Sequence, residues 1–338
     1  MKRLAAAFAE LAAAVRAASA EVGRTVAVDP VAVADRRDAL ALKPPGLWSP
    51  NRSCRLVRAT DGWIAVNLPR DSDVAAVPAW LCADVTGDPW PVIRRIAAAT
   101  PRQALVDQAR LLGLPICAVG EVTATDLAAP LIRFAAGGRR ATGEVRVLDL
   151  SGLWAGPLCG AMLAEAGFAV TKLESVRRPD VMATAAPGFF RRLNGRKTLA
   201  ALDFADPADV ARLTGLIDTA DVLITAARPR AFEQLGLSPA AVFVRSPGLV
   251  WVAISGYGWT GEAADRVAFG DDAAAAGGLV RWTAAGAPRF LGDALADPLT
   301  GLVAAIGAFE ALKAGGGLLV DAAMARAAAG VAAAWAPA

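Results

Sequence analysis

The sequence predicts an α/β protein: a doubly wound, Rossmann-like parallel-sheet domain preceded by a smaller α+β domain. Three observations lead to this prediction. The chain has 338 residues, which exceeds one average domain. After residue 145, short apolar runs typical of buried parallel strands alternate with helical stretches. Before residue 137, shorter strand-like and helix-like segments are separated by turn residues.

The chain is predicted to begin with a helical segment at residues 1–46. One helix covers 5–20 and a second lies around 30–42. The Pro44-Pro45-Gly46 run ends this segment, because neither residue type continues a helix. A glycine- and arginine-containing linker is predicted at 137–144.

Residues 47–136 are predicted to form the small α+β domain. The Asp61-Gly62 pair indicates a turn between two strands, at 55–58 and 63–68. The other predicted elements of this domain are helices at 73–83, 90–98 and 101–112, and a strand at 116–119.

Residues 145–338 are predicted to form the Rossmann-like domain. Its predicted strands are 145–150, 169–173, 198–202, 222–225, 249–255 and 318–320. Its predicted helices are 156–167, 207–219, 231–235, 239–245, 270–279 and 298–313. Asp206 is the predicted N-cap of the helix at 207–219. In such sheets a ligand binds beyond the carboxyl ends of the strands, at the point where the strand order reverses.

Charge and hydropathy exclude several classes of partner. The net charge is +3, with acidic and basic residues interspersed, so no basic face for nucleic acid is expected. No apolar run approaches the ~20 residues of a membrane-spanning helix. Glu10 and Arg16 interrupt the apolar N-terminus, which favours an amphipathic helix over a signal peptide. We therefore expect a cytoplasmic protein.

The sequence contains no histidine, which narrows the possible chemistry. A Ser-His-Asp or Cys-His catalytic system, a histidine general base and a histidine zinc site are all excluded. The four cysteines, Cys54, Cys82, Cys117 and Cys159, show no paired spacing and are expected to be small buried apolar residues. No metal site is expected.

From residue 145 the sequence contains an ordered series of short motifs. They are Val145–Pro157, Leu163–Gly167, Val170–Glu174, Leu193–Asp203, Ala220–Ile224, Arg228-Pro229, Leu235–Leu237, Ile254–Gly258, Thr260-Gly261, Leu295–Asp297 with Gly301, Gly315–Gly317 and Val320-Asp321. Each motif is weak alone, but in this order they resemble the class III CoA-transferases, the family of formyl-CoA and carnitine-CoA transferases and α-methylacyl-CoA racemases. The resemblance implies that residues 145–338 bind CoA.

The N-terminal part resembles the small domain of the same family, in an unusual position. The matching residues are Arg55-Leu56, Asp61-Gly62-Trp63 and Leu111–Pro115. In ordinary members this domain follows the large one, so we hypothesise a circular permutation; a gene-fusion rearrangement and a truncated longer protein are the alternatives. Ordinary members form interlocked dimers. The resemblance therefore implies a homodimer, and a homologous second subunit is the alternative.

The resemblance makes Asp297 the catalytic nucleophile. Its carboxylate would attack an acyl-CoA thioester and pass through a mixed anhydride and an aspartyl-CoA thioester, with a carboxylic acid as acceptor. This route needs no histidine, no metal and no bound cofactor; the CoA thioester is the substrate. The alternative is that Asp297 merely caps the helix at 298–313, with Pro298 at its first position.

Other candidate site residues follow from the same blocks. Gly256 and Gly258 would present backbone N–H groups to the thioester oxygen, although glycines in any tight turn look alike. The candidate CoA-binding residues are Lys172, Arg196, Lys197 and Arg228, together with Trp154 as a wall of the acyl pocket. The alternatives are solvated surface charges for the four basic residues and core packing for Trp154.

Two other functions remain open at this stage. Racemases of this family need a histidine that this chain replaces with Asp271 in the Gly270-Asp271-Asp272 block, and Asp271 could act only with a strongly raised pKa. A non-catalytic or hetero-oligomeric CoA-binding protein is favoured by departures from the family pattern at Thr225-Ala226-Ala227 and Gln234.

Overall fold

The computed structural model describes residues 2–124, 127–138 and 144–333. Its N-terminal part contains α1 (Lys2–Ala20), β1 (Cys54–Ala59), β2 (Gly62–Asn67), α2 (Asp71–Leu81), α3 (Trp90–Ala97), α4 (Arg102–Leu111) and β3 (Ile116–Ala118). The three strands form an antiparallel sheet in the order β1-β2-β3, and the predicted hairpin is confirmed. Among the described residues, no helix combines the length and the apolar character needed to cross a bilayer.

The two faces of this small sheet pack into different hydrophobic cores, because side chains alternate along a strand. Ile64 and Val66 pack with Trp80 and Ile93 of the covering helices into a core of their own. Ala65, between them, packs into the main core of the molecule. The small sheet is therefore fixed on one side to its own helices and on the other to the large domain.

The prediction of a helix around 30–42 is wrong. Only one 3-10 turn forms there, at Ala32–Ala34. Asp29 accepts hydrogen bonds from the backbone N–H groups of the two residues that precede and begin this turn, and Asp35 accepts from the N–H of Arg37. Such local side-chain-to-backbone bonds compete with helical ones. The segment therefore runs irregularly, with the side chain of Arg36 buried.

A seven-stranded sheet forms the centre of the large domain. Its strands are β4 (Leu131–Arg133), β5 (Arg146–Leu150), β6 (Ala169–Ser175), β7 (Thr198–Leu202), β8 (Val222–Thr225), β9 (Val250–Ser255) and β12 (Leu318–Ala323). Their spatial order is β4-β12-β9-β8-β5-β6-β7, and every pair except β4 with β12 is parallel. A separate hairpin joins β10 (Val280–Trp282) to β11 (Pro288–Phe290). The predicted α/β fold is confirmed.

Helices cover both faces of this sheet. They are α5 (Ala155–Glu165), α6 (Met182–Ala185), α7 (Pro187–Asn194), α8 (Pro207–Thr219), α9 (Pro229–Gln234), α10 (Pro239–Arg245), α11 (Gly270–Ala276), α12 (Ala296–Lys313) and α13 (Met324–Ala333). On one face α1, α5 and α11 to α13 share the main core, and on the other α8 to α10 form a second core. Asp206 accepts the Ala208 N–H and caps α8, as predicted.

The N-terminal part is more closely joined to the large domain than the predicted boundaries suggest. Helix α1 packs directly on α12. Residues Leu131–Arg133, which the sequence prediction placed in the small domain, supply the antiparallel edge strand of the large sheet. Residues 139–143 of the predicted linker lie outside the described residues.

The strand order reverses beside β5. The chain moves from β5 to β6 and β7 on one side, then returns to β8 and β9 on the other. The loops that follow β5 and β8 consequently diverge, and they leave a crevice at the carboxyl edge of the sheet. In open α/β sheets this is the usual ligand-binding position.

Candidate active site

A cavity of about 320 Å³ lies at this reversal point. Three successive strand ends contribute to its wall: Gly152 and Leu153 after β5, Ala226 to Arg228 after β8, and Gly256 after β9. Asp297 also lines it. The carboxylate is therefore exposed to a ligand-sized space at the edge of the sheet where such ligands bind.

Asp297 lies in the first turn of α12. The helix begins at Ala296 and its N-cap position is Leu295, so the alternative prediction that Asp297 is the cap is wrong. The nearby backbone N–H of Ala155, the first residue of α5, lowers the pKa of the Asp297 carboxyl. Two helix N-termini thus meet at one carboxylate, and their dipoles favour its anionic form.

The space for this carboxylate depends on Gly270. A Cβ atom at Gly270 would lie 2.1 Å from Asp297 Oδ2 and 2.6 Å from the carbonyl oxygen of Ala294. Ala294 itself has a left-handed φ of 45°, which is strained for a residue with a side chain. The backbone around Asp297 is therefore packed closely enough to fix the position of its side chain.

Asp297 is half-buried and lies beside the buried carboxylates of Asp271 and Asp293, with which it forms an aspartate cluster. Burial raises the pKa of Asp297 to about 7; the nearby Arg36 lowers it, and Asp271 and Asp293 raise it further. Burial likewise raises the pKa of Asp271 to about 6, aided by the charge of Asp293. Arg36 forms an ion pair with Asp293. Near neutral pH, then, the Asp297 carboxyl is only partly ionised.

Two asparagines of the small domain donate hydrogen bonds to aspartates in and beside this cluster. Asn51 Nδ2 donates to Asp271 Oδ2 over 2.9 Å, and Asn67 Nδ2 donates to Asp272 Oδ1 over 2.6 Å. The Ala294 N–H donates to the other oxygen of Asp271. Asp271 is thus fully engaged by the protein. Sequence reasoning found neither asparagine and missed Arg36, because these residues adjoin the aspartates only through the domain packing.

The two predicted glycines differ in their surroundings. Gly256 lines the cavity beside Asp297. Gly258 has a φ of 119°, and its backbone N–H donates to Ser255 Oγ over 2.9 Å. Because that N–H group already has an acceptor, Gly256 is the better placed of the two to face a substrate oxygen.

The two predicted lysines are internal. Lys172 has no exposed surface, and its Nζ donates to the Ser151 carbonyl oxygen over 2.6 Å and lies 3.3 Å from Asp180. Lys197 Nζ donates to Asp149 Oδ2 over 2.8 Å in a fully buried ion pair. Side chains in these positions have no surface left for a phosphate, so their contacts are those of structural ion pairs.

The other three predicted residues lie in different settings. Arg196 is exposed on the loop before β7. Arg228 lines the cavity and has one hydrogen-bond acceptor among the described residues, the Asp265 carbonyl oxygen at 3.5 Å. Burial and the neighbouring cation Arg230 lower the pKa of Arg228, so this half-buried charge favours an anion. Trp154 is buried against Phe189, with ring centroids 5.2 Å apart.

Two further cavities continue from the central one. A cavity of about 540 Å³ beyond β5 and β6 shares Gly152, Leu153 and Arg178 with it. A cavity of about 690 Å³ between α2, α4 and residues 262–267 shares Arg70 and Arg228. The central cavity thus adjoins both of the others, and each of the three is lined by at least two arginines. Within the described part of the chain, no group of three or more Cys, Asp or Glu side chains is placed to hold a metal ion.

Comparisons with known proteins identify a family for the C-terminal part of the chain. The profile of CoA-transferase family III matches residues 143–338. Succinyl-CoA–D-citramalate CoA-transferase of Chloroflexus aurantiacus is 31% identical over 194 residues, 53% of this chain and 48% of that protein. Human succinyl-CoA:glutarate CoA-transferase is 30% identical over 190 residues, 52% of this chain and 43% of that protein. The chain therefore spans about half the length of these curated relatives.

Solved structures give the same result. A crystal structure of a hypothetical protein from Mycobacterium tuberculosis superposes with a TM-score of 0.53 at 29% identity, over 58% of this chain and 59% of that one. A CaiB/BaiF family protein from Brucella suis superposes with a TM-score of 0.52 at 28% identity, over 56% of this chain and 55% of that one.

Proposed function

Because the chain belongs to CoA-transferase family III, we propose that it is an acyl-CoA:carboxylate CoA-transferase with Asp297 as its nucleophile. The main support is the position of the Asp297 carboxylate. It lies near the N-termini of α5 and α12 and lines a cavity at the point where the strand order reverses. A carboxylate in this position can attack a thioester without a histidine, and the sequence has none.

The proposed reaction has four balanced steps. The Asp297 carboxylate attacks the thioester carbonyl, which gives an acyl-aspartyl anhydride and free CoA thiolate. The thiolate attacks the aspartyl carbonyl, forms an aspartyl-CoA thioester and releases the donor acid. The acceptor carboxylate attacks that thioester and regenerates an anhydride and the thiolate. The thiolate then attacks the acyl carbon of the acceptor in this anhydride. The new acyl-CoA leaves, and the Asp297 carboxylate is regenerated.

The surroundings of Asp297 support each role in part. The helix dipoles stabilise the attacking anion. The Gly256 backbone is available beside the cavity for the oxygen on which negative charge develops. Two arginines are suited to bind the phosphates of CoA. Arg228 has a single backbone acceptor among the described residues, and Arg178 lines two adjoining cavities. Neither buried lysine is used in this proposal.

The racemase alternative has less support. Asp271 would have to act as the second acid–base group, and burial does raise its pKa to about 6. Both of its oxygens, however, accept hydrogen bonds from the protein, and it is not among the residues that line the cavity. A group with no path to the substrate cannot exchange a proton with it.

Assembly and location are proposed on the same basis. We expect a homodimer. A homologous second subunit is the alternative, because one relative is named as the alpha subunit of a succinyl-CoA–L-malate CoA-transferase. A non-catalytic CoA-binding role is the alternative to catalysis. The permuted domain order and a cytoplasmic location remain predictions. The molar mass in solution, measured by light scattering, distinguishes one chain from two.

The proposal is tested by mass spectrometry of intact protein and peptides after incubation with a panel of acyl-CoAs. We expect a CoA-sized adduct on the Asp297 peptide, absent from Asp297→Asn. Asp84→Asn is the control, because it removes an exposed carboxylate that lies outside the site. Tight CoA binding with no adduct from any donor would reject the transferase in favour of the non-catalytic role.

A further inference from the structure

We propose that Arg36 is a positioning residue for Asp297: its guanidinium supplies the positive charge that keeps the nucleophilic carboxylate ionised. Arg36 lies in the N-terminal segment, outside the residues that the family profile matches. Its catalytic consequence rests on the proposed role of Asp297. The charge interaction itself can be measured without any turnover.

The guanidinium is held from several sides. Its Nε donates to Asp293 Oδ2, and the side chain is only about a tenth exposed. Its Cζ lies 4.8 Å from the ring centroid of Trp154 and 5.9 Å from that of Phe189. Those two rings meet edge to face. A planar cation stacked on aromatic rings and paired with a carboxylate has little freedom to move.

These contacts bring the cation to the nucleophile. Trp154 precedes Ala155, which lines the same cavity as Asp297 and whose backbone N–H lowers the pKa of Asp297, so the ring under Arg36 belongs to the turn beside the nucleophile. Arg36 lowers the pKa of Asp297, which burial otherwise raises. Asp297 in turn raises the pKa of Arg36. Both pKa shifts express one electrostatic attraction between the Arg36 guanidinium and the Asp297 carboxylate.

Other charges near Asp297 do not supply the same effect. Asp271 at the start of α11 and Asp293 before α12 are both acidic, and both raise the pKa of Asp297. The arginines that line the cavity are Arg70, Arg178, Arg228 and Arg266. Arg70 is largely exposed, so solvent weakens its field, and Arg266 is paired with Glu121 and stacked on Tyr257. Arg36, by contrast, is buried and paired with Asp293 of the cluster.

The role proposed for Arg36 links the N-terminal segment to the candidate active site of the large domain. On this proposal the cation beside the nucleophile comes from the N-terminal segment, where the irregular stretch 30–42 places Arg36 against Asp293 and Trp154. The N-terminal segment is thus part of the candidate active site.

The test is a ¹³C NMR titration of aspartate carboxyl groups in the full chain, with the Asp297 signal assigned by its loss in Asp297→Asn. Arg36→Gln should raise the Asp297 midpoint by at least about one pH unit, because a stabilising positive charge is lost. Arg36→Lys should largely restore it. Asp293→Asn should move it in the opposite direction, because it removes a negative charge and releases Arg36 from its partner.

Arg192→Gln is the matched control. Arg192 also stacks on Phe189, at 4.9 Å, but it faces Asp35 and Asp38 at the surface instead of the cluster. Its removal should leave the midpoint unchanged. An unchanged midpoint in folded Arg36→Gln, or a rise in Asp293→Asn, would overturn the proposal. If Arg36→Gln does not fold, the double variant Arg36→Gln/Asp293→Asn, which leaves neither charge buried without its partner, replaces it: its midpoint should lie above that of Asp293→Asn, and equal midpoints would overturn the proposal.

Activity is a separate readout. If the chain transfers CoA, the acid limb of kcat/KM should move to higher pH in Arg36→Gln by the same amount as the midpoint. A titration that behaves as expected in a chain without transferase activity would reject the proposed function and leave the charge interaction standing.

Discussion

At the scale of single residues, the sequence located the nucleophile candidate but not its environment. Asp297 was identified from the Leu295–Asp297 block, and its cavity lies where the fold class predicted. The partners Arg36, Asn51 and Asn67 carry no local sequence signal, because each reaches the aspartates over more than 200 residues of chain. Residue type and spacing cannot reveal such contacts.

Gly270 gives the sharpest prediction at this scale. Gly270→Ala should lower CoA-transfer activity by at least about 100-fold, because the new methyl group would overlap Asp297 Oδ2 and displace the carboxylate from its position. Gly188→Ala is the control, since a Cβ at Gly188 meets no atom within 4 Å. Steady-state kinetics with matched unfolding curves tests this. Wild-type activity in folded Gly270→Ala would show that the carboxylate position is not critical.

At the scale of elements, the buried strands and long helices were predicted well, since apolar periodicity reports burial directly. The strand β4, the β10–β11 hairpin and helix α13 were missed. The first two are short, and the third consists mostly of alanine with Arg326 as its one charged residue. The lysines were assigned to CoA because strand ends usually face ligand; here they pair with carboxylates beneath the loops.

This contrast predicts different effects for two adjacent basic residues. Lys197→Met should reduce the free energy of unfolding by about 3–5 kcal/mol, because Asp149 would stay buried without its partner. Arg196→Met, on the exposed loop, should change it by less than about 0.5 kcal/mol. Urea denaturation of both variants measures the difference. Equal stabilities would mean that the Lys197–Asp149 pair does not hold this part of the sheet.

At the scale of the whole molecule, the fold class was predictable but the joining of its parts was not. The boundary at residue 136 followed composition, whereas the chain enters the large sheet at Leu131. The main core runs without interruption from α1 through the small sheet to α12. An N-terminal part packed in this way contributes Arg36 and Asn51 directly to the aspartate cluster.

The central claim is that Asp297 forms covalent intermediates, and isotope transfer tests it most directly. The chain would turn over an acyl-CoA with an acceptor acid labelled with ¹⁸O in both carboxyl oxygens. The anhydride route leaves one acceptor oxygen on the nucleophile, so the Asp297 peptide should gain about 2 Da after one cycle. Turnover without label in that peptide would contradict the account, because the acid would then have received CoA without bonding to Asp297.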